Sequence, residues 1–147
     1  MTQDSPKIRV LLADDHAIVR AGIRQLLEHS GDILVIAEAS DGQTAQKMIQ
    51  KHNPDVAVLD IQMPEASGIE VARWVRTHHP KVGVLILTAF DDDPYIMAVL
   101  QAGANGYVLK TASPDELIQA VIDVHEGKSV LDASITQKLM THLFSAQ

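Results

Sequence analysis

Five short apolar runs recur along the chain, each followed by a stretch with polar residues and a different spacing of its apolar ones. The runs are Arg9–Ala13, Leu34–Ala39, Val56–Leu59, Val82–Thr88 and Gly106–Leu109. Most are Val, Ile and Leu with little polar alternation, the pattern of parallel strands covered on both faces. In the first intervening stretch Val19, Ile23, Leu26 and Leu27 fall on one helical face. Ser67-Gly-Ile-Glu70 and Ser113-Pro-Asp-Glu116 each predict a capping box, in which the serine accepts from a backbone N–H one turn on and the glutamate reaches back. The second also has proline at the first helical position. Asp93-Pro94 predicts the cap and first residue of a fourth helix. In the fifth, Leu117, Ala120, Val121 and Val124 form a buried stripe, and Gly127 ends it.

A β–α unit repeated five times with short connections predicts an open, doubly wound α/β fold: a five-stranded parallel sheet with helices on both faces. Sequence alone does not fix the strand order. The flavodoxin-like order 2-1-3-4-5 is expected at this length, and it places a switch point between strands 1 and 3. This domain is expected to span 1–128. Residues 129–147 read as a linker or C-terminal helix, with a helical stretch at about Ser134–Phe144 that puts Ile135, Leu139, Met140 and Leu143 on one side.

Composition narrows the picture. The 147 residues suffice for one independent core, and without cysteine there is no disulfide or thiolate metal site, which points to a reducing cytoplasm. No apolar run approaches the roughly 18–20 residues that span a bilayer, so no membrane role is expected. The formal charge is −7, and the 12 Lys and Arg are scattered while acids cluster at Asp14-Asp15 and Asp91-Asp92-Asp93. A chain that grips nucleic acid needs a basic face to displace counterions. This one is not expected to hold DNA by itself.

The candidate chemistry lies at the carboxyl ends of the strands. Asp14 and Asp15 follow strand 1, Asp60 follows strand 3, Thr88 ends strand 4 and Lys110 follows strand 5. That edge is where open α/β sheets bind ligands. Each residue has an ordinary explanation by itself: an aspartate after a strand is commonly a turn or cap residue, a threonine structural, a lysine solvated. Those explanations do not predict convergence on one edge. Three carboxylates meeting in one crevice need a cation among them, and a hard divalent ion with oxygen ligands, Mg2+ first, meets that need. A carboxylate so placed can attack a phosphoryl group and form an acyl phosphate. The metal and the Lys110 ammonium would neutralise the equatorial oxygens, with the Thr88 hydroxyl bonded to one of them.

The segments Val10-Leu-Leu-Ala-Asp-Asp-His16, Val58-Leu-Asp-Ile-Gln-Met-Pro-Glu-Ala-Ser-Gly68, Leu85-Ile-Leu-Thr-Ala89 and Gly103-Ala-Asn-Gly-Tyr-Val-Leu-Lys110 resemble the response regulator receiver (CheY-like) family of two-component systems. The resemblance runs from about Lys7 to Gly127. It implies that Asp60 is the phosphoacceptor, served by a sensor histidine kinase. It implies that Asp15 and Asp60 hold Mg2+ directly, Asp14 mostly through water, and the Gln62 backbone carbonyl as a further ligand. Thr88, Lys110 and the Ala89 amide would contact the phosphoryl group. Pro64 and Gly68 would shape the turn into helix 3, and Tyr107 would be the switch aromatic, entering from outside as Thr88 moves toward the phosphoryl group. One departure is Thr111 where receivers commonly carry proline, which makes a cis bond there unexpected.

Gly103–Lys110, the following Thr-Ala-Ser-Pro-Asp-Glu-Leu117 and the tail are most similar to the NarL/FixJ branch, whose members carry a LuxR-type helix-turn-helix. The resemblance thus implies transcription regulation through an output domain absent here. A stand-alone single-domain regulator is the alternative. Dimerisation is expected, through helices 1 and 5 or through helix 4, strand 5 and helix 5. A phosphohydrolase of the haloacid-dehalogenase type would want a second aspartate two residues after Asp60, where Gln62 stands. His16 is expected merely to begin helix 1.

Overall fold

The structure, a computed structural model, describes residues 6–89, 93–131 and 133–145. The strands are β1 (Ile8–Ala13), β2 (Ile33–Ala39), β3 (Val56–Leu59), β4 (Gly83–Thr88), β5 (Gly106–Leu109) and β6 (Val130–Leu131). Between and after them run α1 (Ala17–His29), α2 (Gly42–His52), α3 (Gly68–His78), α4 (Asp93–Gln101), α5 (Pro114–His125) and α6 (Ala133–Ser145). All pairings are parallel and the order is β2-β1-β3-β4-β5-β6. The expected doubly wound order is present, extended by one strand at the β5 edge.

Alternation along the strands sends side chains to two cores. Leu11, Ala13, Ala57, Leu59, Val84, Ile86 and Tyr107 pack with α2, α3, α4 and α6; Val10, Leu12, Val56, Val58, Leu85, Leu87 and Val108 pack with α1 and α5. Both faces of every central strand are therefore apolar, which is why the runs show no polar alternation.

Helix ends follow the expected chemistry. Ser67 and Ser113 both form complete capping boxes, with Glu70 and Glu116 returning to the serine N–H groups. α4 begins at Asp93, one residue earlier than expected. Gly127, two residues past α5, takes φ 89°, a left-handed conformation open to glycine without strain. There is no cis peptide among the described residues, in keeping with Thr111 after Lys110. None of the described helices is long and apolar enough to cross a membrane. Asp91, Asp92 and Phe90 lie outside the described residues.

The tail differs from a simple linker. Val130 and Leu131 pair with Gly106 and Tyr107, and Ile135 of α6 is fully buried in the core on the α4 side. The sequence signal for β6 is only two residues long, too short for any periodicity to register. Ile135→Ala should lower unfolding stability by about 2 kcal/mol, the low end for a buried aliphatic truncation. Urea denaturation measures it, and a change below about 0.5 kcal/mol would mean that α6 folds apart from the sheet.

Candidate functional site

β1, β3 and β5 deliver their following residues to one crevice at the carboxyl edge of the sheet. The backbone ladder continues past the strands: the Asp14 N–H donates to Ala39 O at 3.0 Å, Asp60 N–H to Ala13 O at 3.0 Å and Lys110 N–H to Thr88 O at 2.7 Å. These bonds hold the polar residues in register although they stand outside the strands proper.

The side chains meet. Lys110 Nζ donates to Asp14 Oδ2 at 2.7 Å and to Asp60 Oδ2 at 3.3 Å. Asp14 and Asp60 are buried, at 1% and 5% exposure, while Asp15 is exposed. Three carboxylates against one ammonium leave two uncompensated negative charges, the amount that one divalent cation neutralises. One ligand atom from each of Asp14, Asp15, His16 and Asp60 lies within 4.8 Å of the others. Oxygen donors at that spacing, on a strand-end platform open to water through Asp15, fit a hard divalent ion that keeps several waters. The cation-binding acidic pocket that the resemblance implies therefore has its counterpart in this Asp cluster.

The electrostatics follow from burial. Desolvation pushes the Asp60 carboxyl above the ordinary carboxylate range; Lys110 offsets part of this and the Asp14 charge adds to it. Burial pulls the Lys110 ammonium down, but its hydrogen bond to Asp14 and the charges of Asp60 and Asp14 outweigh that and hold it above the ordinary lysine value.

The remaining residues singled out from the sequence are dispersed around this centre. Thr88 is fully buried at the end of β4, and Ala89 beside it is exposed. Ile86 pairs with Tyr107, so Thr88, two residues on, shares their face of the sheet. Tyr107 is itself fully buried among that core. Gln62 is exposed, and its amide donates to the Tyr95 hydroxyl at 3.3 Å, joining the β3–α3 loop to α4. That link joins residues far apart in the chain, and nothing local in the sequence signals it.

The β3–α3 loop is pinned by close backbone approach. The Gly68 N–H donates to Ile61 O at 2.8 Å, and a Cβ on Gly68 would stand 2.1 Å from the Asp60 carbonyl oxygen. Behind Asp14, Arg20 donates to its carbonyl at 2.6 Å and to Glu38 Oε1 at 2.9 Å; Arg24 also reaches Glu38. Burial pushes the Glu38 carboxyl up, but hydrogen bonds from Arg24 and Arg20 outweigh this and hold it below the ordinary range. A carboxyl depressed in the folded state stabilises above its unfolded value, and that stability is lost as pH falls through the folded one. Glu38→Gln should therefore cost about 1 kcal/mol near neutrality, discounted for partial solvent access. The gap from wild type should close in acid; urea unfolding at both pH values reads it, and a pH-independent gap would refute it.

Comparison with known proteins agrees with this geometry. The family model described as "Response regulator receiver domain" matches residues 10–122. The transcriptional regulatory protein DegU of Brevibacillus brevis is 37% identical over 134 residues, 91% of this chain and 57% of DegU. A LuxR-family two-component response regulator from Aurantimonas sp. SI85-9A1 superposes with TM-score 0.89 at 33% identity, covering 94% of this chain and 99% of that one. The receiver domain of NarL from Mycobacterium tuberculosis gives TM-score 0.82 at 39% identity, over 84% and 100%. The chain thus spans just over half the length of DegU. It belongs to the response regulator receiver family, on the NarL/FixJ side of it among the LuxR-type regulators.

Proposed function

We propose that Asp60 accepts a phosphoryl group from a sensor histidine kinase, with Mg2+ held by Asp15, Asp60 and the Gln62 carbonyl and, mostly through water, by Asp14. The observation that carries this reading is the contact of Lys110 Nζ with both Asp14 and Asp60. It places an ammonium beside the nucleophilic oxygen, where charge on a transferring phosphoryl group develops. The carboxylate oxygen of Asp60 attacks phosphorus, the bond to the donor nitrogen breaks, and the donor imidazole leaves. Lys110 neutralises one equatorial oxygen, and Thr88 and the Ala89 amide bond others. Bound Mg2+ supplies further charge neutralisation. The same groups serve the later attack by water that returns Asp60 to its free form, so the protein is a phosphoacceptor that catalyses its own loading and unloading. Ile18 is 88% exposed, and an apolar groove with Val19, Ile23, Leu109 and Leu117 adjoins Lys110.

Output would run through the Thr88–Tyr107 face. Phosphoryl binding to Thr88 shifts the population only by its differential interaction with two states. As Thr88 moves toward the phosphoryl group, Tyr107, on the same face of the sheet, would fill the space it leaves, a change passed to α4 and to β6, which pairs with Tyr107. The receiver boundary at residue 128 leaves 129–147, whose β6 and α6 pack on its sheet, as the segment that leads toward a DNA-binding output domain of the LuxR type, in a cytoplasmic transcription regulator. Homodimerisation, by α1 and α5 or by α4, β5 and α5, would match the symmetry of DNA half-sites. The β5 edge already carries β6, which favours α1 and α5. Incubation with a small-molecule phosphodonor and Mg2+, read by intact mass and peptide mapping, tests the reading. One phosphoryl group on Asp60 is expected; none, or one elsewhere, sinks it.

A further inference from the structure

We propose that Tyr95 is a positioning residue of the acceptor site: its hydroxyl holds the Gln62 side-chain amide against α4, away from a phosphoryl group on Asp60, and so lengthens that group's life. The inference rests on the reading that Asp60 is the acceptor. It concerns the return step, in which water removes the group.

The loop that carries Gln62 leaves its backbone little freedom. The Gly68 N–H donates to Ile61 O at 2.8 Å, and the Gly42 and Ala66 N–H groups both donate to Pro64 O, at 3.0 and 2.8 Å. A Cβ on Gly42 would stand 2.0 Å from Ala66 O, so the start of α2 presses on the same loop. Ile61 is buried and anchors the end of β3. Among these fixed points Gln62 is exposed, and its side chain is the part that can swing.

Tyr95 decides where that side chain stands. Its ring packs at the edge of the α4-side core, which fixes the hydroxyl. The Gln62 amide donates to this hydroxyl at 3.3 Å, across 33 positions of sequence. Both residues line one open groove with Asp15, Met63, Pro64 and Ile69. The tie therefore crosses a solvent-open approach to the acidic cluster.

The chemistry gives the direction of the effect. In hydrolysis the water oxygen attacks phosphorus, the bond from phosphorus to the Asp60 oxygen breaks, and its electron pair returns to the carboxylate. Both water protons leave with inorganic phosphate. A carboxamide offers an acceptor and a donor, so it can orient that water without acting as a base. Tied to Tyr95, the Gln62 amide is withheld from this task. Freed, it turns toward the group on Asp60, two residues earlier in the chain. Because Tyr95 belongs to α4, a shift of that helix also alters the tie.

Wild type, Tyr95→Phe, Gln62→Ala and the double variant are each loaded with phosphoramidate and Mg2+, freed of donor, and followed by intact mass as the acyl phosphate decays. Tyr95→Phe should shorten the half-life about two- to tenfold, the range that one ordinary hydrogen bond allows. Gln62→Ala should decay no faster than wild type, and the double variant should match it within about twofold. Such non-additivity separates positioning through Gln62 from a loosened α4, which would speed decay in either background. In the unloaded proteins the Gln62 side-chain amide resonance should shift on Tyr95→Phe, while thermal unfolding stays near that of wild type. An unchanged half-life in Tyr95→Phe, the same acceleration without the Gln62 amide, or an unmoved amide resonance overturns the assignment. A protein that loads on Asp60 yet shows none of these effects leaves the acceptor reading standing and removes only this one. A wild type that never loads removes both.

Discussion

Asp60→Asn is expected to gain no phosphoryl group under conditions that load the wild type, while becoming more stable. The first effect follows from nucleophile chemistry, since an amide does not form the acyl phosphate. The second follows from the site's electrostatics. Burial raises the Asp60 carboxyl above its unfolded value, with the Asp14 charge adding to the effect. A group raised in this way favours the folded state when protonated, and that contribution is lost as pH climbs from the unfolded value through the raised one. Near neutrality the ionised side chain is therefore a burden on the fold. Asparagine keeps the shape and removes the charge, while Lys110 retains Asp14 at 2.7 Å. A gain of about 1 kcal/mol is expected near neutrality, vanishing in acid. Mg2+ should stabilise the wild type more than the variant, because a ligand that binds only the folded state adds stability in proportion to its occupancy. Intact mass and thermal unfolding with and without Mg2+ read these effects. A phosphoryl adduct that persists on the Asp60→Asn variant would place the acceptor elsewhere.

Gly68→Ala should be among the most damaging single-methyl additions in the molecule. The new Cβ would stand 2.1 Å from the Asp60 carbonyl oxygen and 3.2 Å from Ile61 Cα, both backbone atoms that cannot rotate away. Relief requires moving the start of α3 or Asp60 itself. Either movement disturbs the Gly68 N–H bond to Ile61 O. A loss of about 3 kcal/mol is expected, at the upper end for overpacking, together with weakened Mg2+ binding. Gly22→Ala is the internal contrast, because nothing lies within 4 Å of a Cβ there and the position is inside α1. That change should stabilise by about 0.5–1 kcal/mol, the ordinary helix-propensity gain. Urea denaturation of the pair measures both signs. Equal effects would mean that the β3–α3 turn adapts freely and that its glycine has no steric role.

Much of the architecture is open to a reader of the chain because it is local. A strand buried on both faces must be apolar at successive positions, so β1, β3 and β4 announce themselves by composition. The capping boxes at Ser67 and Ser113 are equally plain, since cap and partner sit three residues apart. Convergence of Asp14, Asp60 and Lys110 follows from topology: each stands just beyond a strand, and parallel strands bring those ends to one edge.

Other features are decided by contacts between distant segments. The chain order alone does not reveal β6, because two residues carry no period and its stability comes from pairing with β5 and from Ile135 in the core. Tyr107 can be recognised as an aromatic near a strand end, but its complete burial depends on helices packed from elsewhere. The Gln62–Tyr95 bond and the return of the His16 ring to the acids are likewise matters of three-dimensional placement.

What the amino-acid order determined by itself was the five β–α units and the edge where their polar ends gather, because periodicity, caps and parallel connections act over a few residues. Only the tertiary structure decided how far each carboxylate is stripped of water, which imidazole faces it and what covers the β5 edge. Desolvation and cross-segment contact are properties of the packed molecule, and no local spacing encodes them.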